Sequence, residues 1–494
     1  MRLAVLLAGI VLAAAPLAAA PGPDRLLPAA DASAIYAPAA LPGTPAADAI
    51  ARAGFVQEEY LLSGVGNLYD LGPDGRAVVK RSGLPYTTRI VVVRPRDPAR
   101  FSGVVQLGFS HPQWGSNQWA RIAPYVLRTG DMYVILQVGG DPGTRERSTP
   151  GAPVSTPLIL PWWDAGRYAD FRWPNDGVRW DVIGQTALRL RSGDLPAPLN
   201  RFRAKAVYMS GWSYLGSLQR SYINYGFHDR YRLPDGRPAV DGYLIGISSN
   251  SVNAGFGPIN PDRLAPPPPD QRQLRPIDVP VIELMSENEA RTNTLPQRPD
   301  VDSYAGGHRL YEVGGISHTD TGLPADPPSW GAQLKAHGNS AWTDPGACRT
   351  PETDVPMRDL ADAALDNLKR WRAGGAPPPK AARMAIAEPG KAAVDQYGNP
   401  RGGVRVAQLD VPLARYAEPP AGDCTGGKAP YLVRRRIPLD AATLRAAYPG
   451  GKAEYLRRVR ARLDQLVAER WLLRPDADDQ YRRLSAYADA AFGS

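Results

Sequence analysis

The chain has 494 residues, 43% of them hydrophobic, enough to bury one large core or two ordinary ones, which excludes a disordered chain and a disulfide-stapled mini-protein. Its formal charge is +9, but the Lys and Arg residues do not cluster on a face with aromatics between them, so nucleic acid is not an expected partner. Arg434, Arg435 and Arg436, and then Arg457, Arg458, Arg460 and Arg462, are expected on a solvated helix face or edge.

At the N-terminus, Arg2 precedes an apolar run from Leu3 to Ala15 and the small residues Ala18, Ala19 and Ala20. That layout predicts a secretory signal peptide over residues 1–20 and export to the periplasm or the extracellular medium. The run is shorter than the roughly 20 residues that cross a bilayer, so stable membrane insertion is not expected. A Pro/Ala-rich lead follows over 21–50, and one elaborated domain is expected over 51–494.

Short β-branched runs at Arg89 to Arg94, Gly103 to Phe109 and Met132 to Val138 read as strands, with a helix from Gln118 to Arg128 between the last two. The alternation resumes at Ala204 to Met209, Gly242 to Ile247, Pro280 to Met285 and His308 to Val313, which predicts βαβ units around a mostly parallel sheet with helices on both faces. Two inserts interrupt it. Residues 139–180 are rich in Gly, Pro and aromatics, and 253–277 hold Pro266 to Pro269, which belong on a surface loop. A helix is expected from Asp359 to Arg372, and a C-terminal appendage from about 380 to 494 with helical stretches near Ala441 and over Tyr455 to Arg470. The two cysteines, Cys348 and Cys424, suit one disulfide or two separate thiols, and neither has metal-ligand spacing, so no metal is expected.

Strand Ala204 to Met209 runs into Ser210-Gly211-Trp212-Ser213-Tyr214-Leu215-Gly216 and then a helical stretch. A nucleophilic Ser on a strained strand-to-helix turn needs small neighbours, and Gly211 supplies one. The usual second Gly falls one residue late, at 216, with Leu at 215. Ser213 is the candidate nucleophile, and the Tyr214 amide at the helix start would face a developing oxyanion. A second oxyanion donor is expected from the loop after Phe109, where His111 stands, although a structural or pocket-lining role suits that side chain better.

The candidate base is His318, on the Gly-rich loop Val313-Gly314-Gly315-Ile316-Ser317-His318 after the last apolar strand; His228, His308 and His337 read as satisfied surface residues. The acid should end the intervening strand. Glu289 stands three residues after Ser286, Glu287 is the alternative, and Asp302 is more remote. Either Glu could orient and charge-stabilise the imidazole. Trp162, Trp163 and Trp173, in the first insert, are candidate walls of a substrate pocket or lid.

These pieces, with Tyr86-Thr87-Thr88-Arg89, Arg167-Tyr168, Asp395-x-x-Gly398-Asn399, Gly402-Gly403-Val404-Arg405 and Asp410-Val411-Pro412, resemble the alpha/beta hydrolase domain-containing proteins, a group of probable esterases. The likeness covers most of the chain. It implies the α/β-hydrolase fold with lid-like inserts and an exported serine esterase that needs no cofactor and takes a small-molecule ester. A peptidase or amidase on the same triad, or a binding protein retaining the fold, stays open. Relatives carry Glu and Asn where this chain has Gly108 and His111.

Overall fold

In the computed structural model, residues 24–30, 35–112, 115, 117–140, 159–248, 257–261, 268, 271–292, 297–316, 318, 348–424 and 434–493 are described. The expected signal peptide, His337, and part of each insert (141–158 of the first; 253–256, 262–267 and 269–270 of the second) lie outside them. Nine strands form one sheet: β1 (Arg25–Leu26), β2 (Phe55–Leu71), β3 (Ala77–Pro95), β4 (Val104–Ser110), β5 (Met132–Gln137), β6 (Ala206–Trp212), β7 (Gly242–Gly246), β8 (Val281–Ser286) and β9 (His308–Val313). Their order is β1-β2-β3-β5-β4-β6-β7-β8-β9. From β5 to β9 every pairing is parallel, and β1, β2 and β3 add antiparallel.

Alternate strand residues face opposite layers, as a pleat requires. Val92, Leu107, Val134, Met209 and Ile245 pack on one side against helices α2 (Arg179–Ser192) and α3 (Tyr214–Asn224). Val93, Ile135, Tyr208, Leu244 and Ile282 pack on the other against α1 (Trp119–Thr129) and α5 (Met357–Arg372). The C-terminal helices α6 (Gly451–Ala468) and α7 (Arg474–Phe492) bury Val459, Leu463 and Leu484 in that same second core. A short helix, α4 (Glu287–Thr292), follows β8 directly. No helix among the described residues is long and apolar enough to cross a membrane.

Several sequence expectations need correction. The strand expected at Arg89 to Arg94 is the end of a 19-residue strand, and its 17-residue partner β2 was not expected at all. Its acidic residues are accommodated because cross-strand Arg94 holds Glu58 at 2.7 Å and buried Arg89 pairs with Glu59. The final helix α7 was likewise unforeseen. Arg434 and Arg435 do not sit on a solvated edge: both are buried, Arg434 against Glu287 and Arg435 within 3.5 Å of Glu352. His228 and His308 are also buried rather than at the surface, because both ring nitrogens of each find partners. Cys348 and Cys424 form a disulfide.

Candidate active site

β4 is flanked by β5 on one side and β6 on the other. The chain therefore leaves the C-terminal ends of β4 and β6 in opposite directions, and the crevice between them is where open α/β sheets place ligands. Ser213 follows β6 at this switch point. Its φ of 56° and ψ of −125° belong to a region that L-residues rarely occupy, and its N–H is anchored on Gly246 O of β7 at 3.0 Å.

The glycines explain how the turn closes. A Cβ on Gly211 would come within 2.5 Å of Leu215 O, and one on Gly216 within 2.7 Å of Ser248 Cβ and 3.0 Å of Gly246 O. The close approach of helix to strand thus falls at 216, while Leu215 turns into the core. Tyr214 opens α3, in the first turn where amides have no partner within the helix. Its phenol oxygen accepts from Arg179 Nη1 at 2.9 Å, and Arg179 is itself buried against Asp176 at 2.5 Å. The sequence offered no signal for Arg179, because only the packing of α2 brings it to this edge.

Ser213 Oγ lies 2.7 Å from His318 Nε2, and His318 Nδ1 lies 2.7 Å from Glu289 Oε1. Since the carboxylate can only accept, Nδ1–H donates to it and Nε2 is left to accept the Ser213 hydroxyl proton. Glu289 is buried, whereas the His318 side chain is 29% exposed. Such a chain can move a proton off a hydroxyl and hold the resulting imidazolium.

The other candidate acids stand elsewhere. Glu287 accepts from Gly315 N–H at 2.9 Å and pairs with Arg434. Asp302 pairs with Arg309 at 2.6 Å and Lys380 at 2.7 Å. His111 lies at the end of β4 with its ring 5.4 Å from that of Tyr214, and desolvation pushes its imidazole down to about 3. It is neutral at physiological pH. Trp163 and Trp173 are core residues: Trp163 meets Tyr36 edge-on at 5.4 Å, and Trp173 stacks on Phe171 at 6.0 Å while its Nε1 donates to Asp176 at 2.6 Å. Trp162 is half-buried beside Trp163. Cys348, Asp423 and Cys424 converge as metal ligands would, but the disulfide takes up both sulfurs.

The sequence pattern of a family described as alpha/beta hydrolase domain matches residues 20–482. No curated protein matches the chain. Similar solved structures include LpqC, a poly(3-hydroxybutyrate) depolymerase from Bordetella parapertussis, at 14% identity over 50% of this chain and 70% of that one, with a TM-score of 0.24. An esterase from Rhizomucor miehei is 11% identical over 57% of this chain and 84% of its own, with a TM-score of 0.29. An esterase from Pseudomonas putida ECU1011 is 11% identical over 49% and 70%, with a TM-score of 0.24. Likenesses this distant carry no argument about chemistry.

Proposed function

The chain belongs to the alpha/beta hydrolase domain family, and from that premise we propose that it is an exported serine hydrolase that cleaves small carboxylic esters through an acyl-enzyme on Ser213. The observation that carries this reading is the unbroken hydrogen-bonded chain from Ser213 through His318 to Glu289. In the first half-reaction Ser213 Oγ attacks the ester carbonyl as His318 Nε2 takes its proton, and Glu289 steadies the imidazolium. The Tyr214 amide, at the positive end of α3, stabilises the oxyanion, with a second donor from the loop after β4. His318 then gives its proton to the departing alkoxide. Water enters by the same route in reverse and releases the acid.

The test is labelling by a fluorophosphonate probe, followed by p-nitrophenyl esters and p-nitroanilides of matched acyl groups. Ser213→Ala and His318→Ala should each lose about three orders of magnitude or more in kcat with the fold intact. Hydrolysis of anilides in preference to esters would make the protein an amidase. Activity within tenfold of the parent in Ser213→Ala, with no labelling of the parent, would remove the serine mechanism altogether.

A further inference from the structure

The loop that carries His318 is gripped from the C-terminal part of the chain. Gly315 stands three residues before the base, and both its backbone groups are held: its N–H donates to Glu287 Oε2 at 2.9 Å, and its carbonyl accepts from Thr353 Oγ1 at 2.7 Å. The next carbonyl, Ile316 O, accepts from Glu287 N at 3.1 Å. Gly315 has a φ of +75°, and a Cβ there would meet Val355 at 3.0 Å, Tyr416 at 3.1 Å and Leu409 at 3.2 Å. Every one of those neighbours lies beyond residue 350 in sequence.

Glu287 in turn is paired with Arg434, and the Arg434 carbonyl accepts from Thr353 N at 3.1 Å. The two clamps on Gly315 therefore meet at one residue. Glu287 is 4% and Arg434 6% exposed. Burial pushes the Glu287 carboxyl up and the Arg434 guanidinium down, so each loses solvation that the pairing must make good. Buried ion pairs of this kind add little to stability over an apolar filling. A pair kept at that cost, on the backbone of the base's own loop, calls for a reason in geometry.

We propose that Glu287 and Arg434 are positioning residues for His318, which makes the segment around Arg434 a working part of the active site. Resting on Ser213 and His318 as nucleophile and base, the inference has a plain consequence. Freed of the clamp, the loop drifts and His318 Nε2 leaves its 2.7 Å contact with Ser213 Oγ, and misplacement of about 1 Å in such a contact costs up to roughly a hundredfold.

The experiment uses the full chain with Arg434→Met, Arg434→Lys and Glu287→Gln, checked for folding by circular dichroism. Arg434→Met should lower kcat on p-nitrophenyl acetate, and the rate of fluorophosphonate labelling, by about tenfold or more while KM stays within about threefold. Arg434→Lys, which can still reach Glu287, should recover most of that loss. A folded Arg434→Met with kcat within about twofold of the parent overturns the proposal. Where Arg434→Met does not fold, the isosteric Glu287→Gln decides the matter by the same thresholds. Ser213→Ala, run alongside, separates the two readings: full activity there overturns the serine mechanism, whereas an inactive Ser213→Ala beside a fully active Arg434→Met overturns the clamp alone.

Discussion

Ser286, the last residue of β8, donates to Glu289 Oε2 twice, through its hydroxyl and through its backbone N–H at 3.3 Å, so that Oε1 is left for His318. A carboxylate held at one oxygen by its own strand end and offering the other to the imidazole has a fixed direction. That arrangement separates the two glutamates. Glu289→Gln should lose about three to four orders of magnitude in kcat, because an amide cannot hold the imidazolium as a carboxylate does and can impose the wrong tautomer. Glu287→Gln should lose only about tenfold, through looser placement of the loop. Steady-state kinetics on both variants checks this, and a reversed ranking would move the acid to Glu287.

The displaced glycine of the nucleophile turn gives a second prediction. Gly216→Ala places its Cβ 2.7 Å from Ser248 Cβ and 3.0 Å from Gly246 O, so helix and strand must part, at about 1–3 kcal/mol. Leu215 is 2% exposed, and Leu215→Ala should cost about 2–5 kcal/mol by leaving a cavity. Denaturant unfolding of both measures it. A neutral Gly216→Ala would show that the turn does not depend on that contact.

Much of this was legible in the sequence and some was not, for physical reasons. The parallel strands and the turn at Ser213 announce themselves because a strand buried on both faces must be apolar and a tight turn must have glycine. The hairpin of β2 and β3 hid because its acidic residues are neutralised by Arg89, Arg94 and Arg167, which are distant in sequence. Arg434 hid for the same reason: a basic triplet reads as solvated until the partner of one member, Glu287, is known to lie 147 residues away. The offset between Ser286 and Glu289 could be read in advance, because a carboxylate needs about one helical turn to clear the sheet edge. The small residue at 216 rather than 215 could not be interpreted until β7 was in place against it.

An acidic cluster where α7 docks on α5 makes stability depend on pH. Asp362 is fully buried, with its carboxyl pushed well up by burial and by Asp476 and Asp359, against the pull of Arg128 and Arg358. Burial also pushes Asp476 from 3.8 up to about 6. Carboxyls raised in this way bind more protons folded than unfolded, so their contribution is present below the ordinary value and is lost as pH rises through the folded one. Asp362→Asn mimics the protonated form. It should raise the melting temperature by more near pH 8 than near pH 4, because the cost of the buried charge grows as pH rises above the ordinary carboxyl value. Thermal melts at the two pH values decide it; destabilisation of equal size at both would mean that Asp362 is needed as a charge.

The disulfide bears both on the proposed export and on the site. Cys348 and Cys424 are 76 residues apart in sequence, and closing such a loop is worth about 4 kcal/mol in the chain-entropy account. The bridge also fastens the strip leading to Thr353, where Arg349 N–H donates to Asp423 O at 3.1 Å, and Thr353 holds Gly315 in turn. Structural disulfides are favoured in oxidising compartments, which is where a leader over residues 1–20 would deliver the chain. Protein recovered from outside the cytoplasm should therefore lack those residues by intact mass and show no free thiol under denaturing titration. The double variant Cys348→Ser/Cys424→Ser should melt lower, and it should lose part of its kcat at temperatures where it remains folded, because the strip behind the His318 loop is released at one end. Full-length soluble protein with two free thiols, and a double variant that melts and turns over like the parent, would separate the disulfide from both export and activity.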